Sequence, residues 1–142
     1  MRVLALDVGD RRIGVALSDP TGTIASPLMT IYRVAEKRDQ ETIVSLVREH
    51  SVDLIVIGLP KTLRDELGHQ ARRVIGFGER LAKVGEAPIV YWDERHSTVD
   101  AERIVRARGR RKGRPPGEAL DEVAAAVILQ FYLDSHQEAR HE

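Results

Sequence analysis

Apolar and polar positions divide this chain into short, well-separated runs. Val3-Leu4-Ala5-Leu6 is continuously apolar and ends on an acid, Asp7. A run apolar on both faces is the pattern of a central strand, so Arg2–Asp7 is read as one. Gly9-Asp10-Arg11-Arg12 has turn chemistry, and Ile13, Val15 and Leu17 then alternate, which predicts a second strand in a hairpin with the first. Ile24–Tyr32 is a third strand, with Pro27 pointing to a sheet edge or a bulge. Ile43, Leu46 and Val47 recur at helical spacing within Ala35–His50. Leu54–Ile57 is a β-branched run ended by Gly58-Leu59-Pro60. Ala71, Val74, Ile75, Gly78, Leu81 and Ala82 mark a second helix, and Pro88–Trp92 a fifth strand. Ser97 with Asp100 resembles a capping box that opens a third helix, stopping near Gly109. After Pro115-Pro116-Gly117, a last helix covers Leu120–Leu133, with Leu120, Ala124, Val127, Ile128 and Phe131 expected on its buried side.

The order is βββαβαβαα. It predicts an α/β fold with a five-stranded mixed sheet, a three-strand antiparallel meander plus two parallel strands, flanked by helices. A right-handed crossover then leaves the first strand between the second and the fourth. Residues 1–134 are read as a single domain and 135–142 as a short polar tail. The length, 142 residues, suits one core and no more.

Charge changes the picture more than composition does. The 22 basic and 22 acidic residues cancel. A uniformly basic nucleic-acid binder is thereby excluded, but a local basic patch is not. Arg103–Arg114 is such a patch. It holds Arg103, Arg106, Arg108, Arg110, Arg111, Lys112 and Arg114 with no acid, and it leads into the last helix. No apolar run approaches the roughly 20 residues of a membrane helix, and the N-terminus reads as a strand, not as a signal peptide. Cysteine is absent, so disulfides, a disulfide-linked dimer and thiolate metal sites are out. The expected compartment is the cytoplasm.

Three places carry acids where chemistry could use them. Asp7 closes an apolar strand, where a carboxylate costs several kcal/mol unless it is paired or bound to a metal; it could instead cap the turn and face water. Asp93-Glu94 follows the fifth strand. Adjacent residues of an extended chain point to opposite sides, so only one of the two can face a site. Asp121 lies in the first turn of the last helix, before Ala124-Ala125-Ala126, which would let that helix lie close to the sheet. It also complements the helix dipole, as Glu118 and Glu122 do. Glu118, one turn earlier, is an additional candidate ligand. Acids from two strand ends and one helix start suit hard cations, and a pair of such ions can clamp both oxygens of an in-line displacement at phosphorus. The histidines (His50, His69, His96, His136, His141) are scattered and suggest no nucleophile–His arrangement. Gly9 and Gly14 would let a backbone or a phosphate approach Asp7. Ser18-Asp19 is read as a turn.

These residues in this order resemble the YqgF (RuvX) family, through nearly the whole chain to about Leu133. The carrying stretches are Leu6-Asp7-Val8-Gly9, Arg12-Ile13-Gly14-Val15-Ala16, Ser18-Asp19, Val56-Ile57-Gly58-Leu59-Pro60, Gly68-His69-Gln70-Ala71, Trp92-Asp93-Glu94-Arg95 with Ser97-Thr98, and Asp121 before Ala124-Ala125. The resemblance implies an RNase H-like fold and a RuvC-like site in which Asp7, Glu94 and Asp121 are catalytic and hold Mg²⁺ or Mn²⁺, as two ions. Arg95 would support the acid or meet a phosphate. By its charge, and not by the resemblance, the basic run offers Arg106, Arg108, Arg110, Arg111, Lys112 and Arg114 to the nucleic acid, or is a solvated charge run. The implied substrates are the 5′ side of a 16S rRNA precursor, a Holliday junction, or both. The chain departs from the family pattern at Lys61–Leu67, where relatives tend to carry an Asn-containing, Gly-rich loop. Two other functions share parts of the pattern: a non-catalytic RNA-binding assembly factor with a vestigial site, and a phosphotransferase of the actin and Hsp70 type, which needs a second domain to enclose ATP.

Overall fold

The computed structural model describes residues 1–60, 68–93 and 120–141, with the backbone alone at 120 and 137–141. The loop Lys61–Leu67 and the third helix expected from Ser97 lie outside the described residues. Strands β1 (Val3–Val8), β2 (Arg12–Ser18) and β3 (Ala25–Tyr32) come first. Helix α1 (Glu36–Glu49), strand β4 (Leu54–Leu59), helix α2 (His69–Val84) and strand β5 (Ile89–Asp93) follow, and helix α3 (Leu120–His141) ends the chain. The sheet order is β3-β2-β1-β4-β5. Strands β1, β2 and β3 pair antiparallel, whereas β4 runs parallel to both β1 and β5. The five-stranded mixed sheet expected from the pattern is the one found, with β1 at its centre.

Alternation along the strands sends side chains to two cores. Leu4, Leu6 and Val8 pack with Ile13, Val15, Ile55 and Ile57 against Ile43 and Val47 of α1 and Val74, Phe77 and Leu81 of α2. Val3, Ala5, Ala16, Leu54 and Val56 pack on the other face against α3. The apolar run of β1 is therefore two-sided because helices cover both of its faces. Strand β3 is an edge, and its pairing with β2 shifts register between Val15 and Ala16, opposite Pro27. Proline has no N–H for a ladder, so an edge with a bulge accommodates it. Asp19 organises the β2–β3 turn. Its Oδ1 accepts from the N–H groups of Thr23 and Ile24, both at 2.8 Å, and its Oδ2 from the Thr21 hydroxyl. These bonds, led by the one from Ile24, hold its carboxyl well below the usual carboxylate range.

Helix α3 departs from expectation in two respects. It continues through His141, across residues read as a polar tail. Its buried face is also rotated. Val127 and Ile128 are buried as expected, but Ala124 and Phe131 are half-buried, while Val123, Ala125, Ala126, Leu129 and Leu133 fill the core. Residue 120 is described only in its backbone. Val123–Leu133 is apolar except for Gln130, so periodicity has no polar face to work from. The fully buried Ala125 and Ala126 decide the face by letting the helix axis approach the sheet.

Candidate carboxylate site

Asp7 follows Val3 and Ala5 on the α3 side of the sheet and is partly exposed. Its cross-strand partner is Gly14, whose other neighbour is Thr30 of β3. The three form a row under the first turn of α3. A Cβ on Gly14 would lie 1.9 Å from the carbonyl oxygen of Asp121 and 3.0 Å from the backbone nitrogen of Glu122. The helix start thus rests on bare backbone next to Asp7. Gly9 shapes the preceding turn by donating its N–H to the Arg12 carbonyl at 2.9 Å. The close approach expected at Gly14 is made by the chain's own helix.

Asp121 pairs with Arg12, whose Nε is 3.0 Å from Asp121 Oδ2. That oxygen is buried and nevertheless accepts no hydrogen bond among the described residues, the Arg12 N–H being close without being directed at it. The attraction is therefore that of an ion pair whose acceptor valence is unfilled. The Thr30 hydroxyl in the same row is likewise buried and has no hydrogen-bond partner among the described residues. Glu122 is 3 % exposed, which a solvated acid placed only to complement a helix dipole would not be. Thr30 carries no signal in the sequence, Arg12 appears there only within a motif stretch, and Glu122 only as a complement to the helix dipole. For Glu122 the missed signal was its position four residues before Ala126 and seven before Leu129, on the stripe that faces the sheet.

Along β5 the alternation separates the adjacent acids. Ile89 and Tyr91 pack with the α1–α2 core, and Val90 and Trp92 with the α3 core. Asp93 falls by that alternation on the α1–α2 side, away from Asp7. Glu94, Arg95, Glu118 and the basic residues Arg106, Arg108, Arg110, Arg111, Lys112 and Arg114 lie outside the described residues. Among the described residues, no three acidic or histidine side chains converge as a metal site. Of the described histidines, His50 caps α1, His69 begins α2, and His136 stacks on Tyr132 at 3.9 Å between ring centroids. No helix among the described residues is long and apolar enough to cross a membrane.

The sheet order, with Asp7 near the end of the central strand and a helix start laid across it, is that of the RNase H-like, RuvC-like fold. Thermus thermophilus RuvC bound to a Holliday junction substrate shares the fold, with a TM-score of 0.65 at 16 % identity over 96 % of each chain. The fowlpox virus resolvase in complex with Holliday junction DNA shares it too, with a TM-score of 0.58 at 12 % identity, covering 96 % of this chain and 99 % of that one. The family model described as "RuvX: Holliday junction resolvase" matches residues 1–135, and the chain belongs to this RuvX (YqgF) family. Among its relatives, a protein of Caldanaerobacter subterraneus subsp. tengcongensis is 45 % identical over 96 % of this chain and 99 % of its own. One of Roseiflexus sp. is also 45 % identical, over 96 % of each. Both carry the name "Putative pre-16S rRNA nuclease".

Proposed function

We propose that this protein is a cytoplasmic, metal-dependent nuclease that hydrolyses phosphodiester bonds of nucleic acid, with precursor 16S rRNA as its substrate. The observation that carries the reading is the placement of Asp121 against Gly14, the cross-strand partner of Asp7, with a buried carboxylate oxygen that has no hydrogen-bond donor. Two carboxylates carried on neighbouring stretches of backbone, one with an oxygen that accepts no hydrogen bond among the described residues, suit a hard cation such as Mg²⁺ or Mn²⁺. Asp7 and Asp121 would hold the ions, with Glu94 as the third acid and Glu118 as a further ligand one turn before Asp121. When bound, such ions neutralise charge at the phosphate and make a water nucleophilic near neutral pH.

The chain's own residues do the rest. Arg12 neutralises Asp121 in the metal-free protein and is half-exposed, so it can swing away as a cation enters. The Gly14 contact fixes the spacing between the carboxylates by backbone, not by mobile side chains. Arg95 would meet a phosphate beside Glu94, and the run Arg106–Arg114 would attract the polyanion. The relatives' name favours precursor rRNA, and the description of the family model favours a second substrate, branched DNA.

Asp7→Asn keeps the size of the side chain and removes its charge. It should abolish Mn²⁺-dependent cleavage of a labelled 16S precursor and of a four-way junction, with the circular dichroism spectrum unchanged. Cleavage by the variant at the wild-type rate would remove Asp7 from the site. A wild-type protein that binds the precursor and cuts neither substrate would be a non-catalytic assembly factor.

A further inference from the structure

On the opposite side of β1 from Asp121, the turn after Asp7 forms one wall of a second feature. Gly9, Asp10, Arg33, Arg72, Arg73 and Arg80 line a cleft of about 320 Å³ between the β1–β2 turn and α2. Four arginines there face one aspartate, in a chain whose total charge is zero. Strands β1 and β4 run parallel, and α2 begins shortly after β4 ends. Its first turns, with Arg72 and Arg73, therefore stand at the same end of the sheet as Asp7.

The four arginines are not equivalent. Arg33 is fixed: its Nη1 donates to the Gly9 carbonyl at 2.9 Å, its Nε to Asp39 at 3.2 Å, and its guanidinium lies over the Phe77 ring at 5.2 Å. Arg80 is held by both carboxylate oxygens of Glu36 at 2.7–2.9 Å. These two build the floor and the far wall. Among the described residues Arg73 pairs with Asp10, at 3.2 Å, with both side chains about seven-tenths exposed. Such an exposed pair is screened by solvent and contributes little, so an incoming anion can replace Asp10 at little cost. The Arg72 guanidinium has no hydrogen bond or ion pair among the described residues and stands in solvent. A guanidinium fork matches phosphate oxygens in a way that a point charge does not.

We infer that this cleft binds backbone phosphates of the nucleic-acid substrate beyond the scissile bond, with Arg72 and Arg73 as the contacting residues and the carboxylate-paired Arg33 and Arg80 as the fixed walls behind them. This inference rests on the nuclease reading and extends it. The strand crosses the sheet end from α3, over the β1–β2 turn, to the first turns of α2. The contacts are to phosphate, so they set register and orientation without reading bases.

The test is binding by the full chain in EDTA, where cleavage does not intervene. The probes are a labelled single-stranded RNA leader and a four-way DNA junction, titrated across salt concentrations. The double variant Arg72→Gln, Arg73→Gln should bind the RNA with a salt slope shallower by about 1.4, at about 0.7 for each lost contact. Arg72→Lys with Arg73→Lys keeps the charge and should keep most of the slope. Both side chains are exposed, so the melting temperature should not move and loss of fold cannot imitate the result. An unchanged slope in the glutamine variant would overturn the inference and leave the nuclease reading intact, since wild-type cleavage is measured separately. Tight binding of inorganic phosphate by calorimetry, with no change in slope, would make this a small-anion site instead. No binding of either nucleic acid by the wild type would defeat both readings.

Discussion

Gly14 has no room for a side chain. The obstacle is the carbonyl oxygen and carbon of Asp121, 1.9 and 2.3 Å from where a Cβ would stand, and backbone cannot rotate out of the way. Gly14→Ala must therefore push β2 from the start of α3. Overpacking of this kind costs about 1–3 kcal/mol or more. The same displacement carries Asp121 away from Asp7, so cleavage should fall together with stability, in contrast to Asp7→Asn, which should lose cleavage alone. Urea denaturation and a cleavage assay on both variants separate the two effects; a Gly14→Ala protein with wild-type midpoint and activity would show that the helix start does not position the site. In the sequence, Gly14 stands between Ile13 and Val15 and signals only that something comes close. Nothing there says that the visitor is the carrier of the second acid, 107 residues along the chain.

At the scale of elements, α2 carries two interior glycines with opposite tolerances. A Cβ at Gly78 would lie 2.3 Å from the Tyr91 hydroxyl, which donates to the Ile75 carbonyl between helix and sheet. A Cβ at Gly76 meets nothing nearer than the tip of Arg80, at 3.1 Å. Glycine within a helix costs about 1 kcal/mol relative to alanine. The Arg80 tip, though bound to Glu36, is exposed and need give only a few tenths of an ångström, so Gly76→Ala should stabilise the protein by at most about 0.5–1 kcal/mol, while Gly78→Ala should destabilise it by about 1–3 kcal/mol. Thermal or urea unfolding reads both, and equal signs would show that α2 does not sit on Tyr91 as described. Strands were legible in this sequence because β1, β2 and β4 alternate or run apolar to clear stops. The lie of α3 was not, because a helix apolar nearly all round is placed by the shape of its partner: Ala125 and Ala126 fit where larger residues would not, and Glu122 is carried into the buried stripe with them.

The order of the whole sheet was legible because chirality leaves β4 only one natural place beside β1. The arginine cleft was not, since it joins the β1–β2 turn, the residue after β3 and two turns of α2, and no local run announces it. Among the described residues, Asp7, Asp121 and Glu122 gather on the α3 side of the central strand with Arg12 paired to Asp121, and Arg72 and Arg73 stand on the α2 side. The acidic side should then bind divalent cations and transmit that binding to global stability. A ligand bound only by the folded state stabilises it by about 2.7 kcal/mol at a hundred times its dissociation constant. Mn²⁺ at millimolar concentration should raise the melting temperature of the wild type, and Asp121→Asn should remove most of the rise. Arg12→Gln discriminates further. Without metal it deletes the ion pair to Asp121, which is half-exposed on the arginine side and so worth no more than about 1 kcal/mol. With Mn²⁺ the carboxylate no longer needs the guanidinium, so the deficit should shrink and the metal-induced rise should be at least as large as in wild type. A smaller rise in Arg12→Gln would mean that Arg12 helps to build the cation site instead of standing in for the cation. A melting temperature indifferent to Mn²⁺ in the wild type would show that this end of the sheet holds no divalent ion before the nucleic acid arrives.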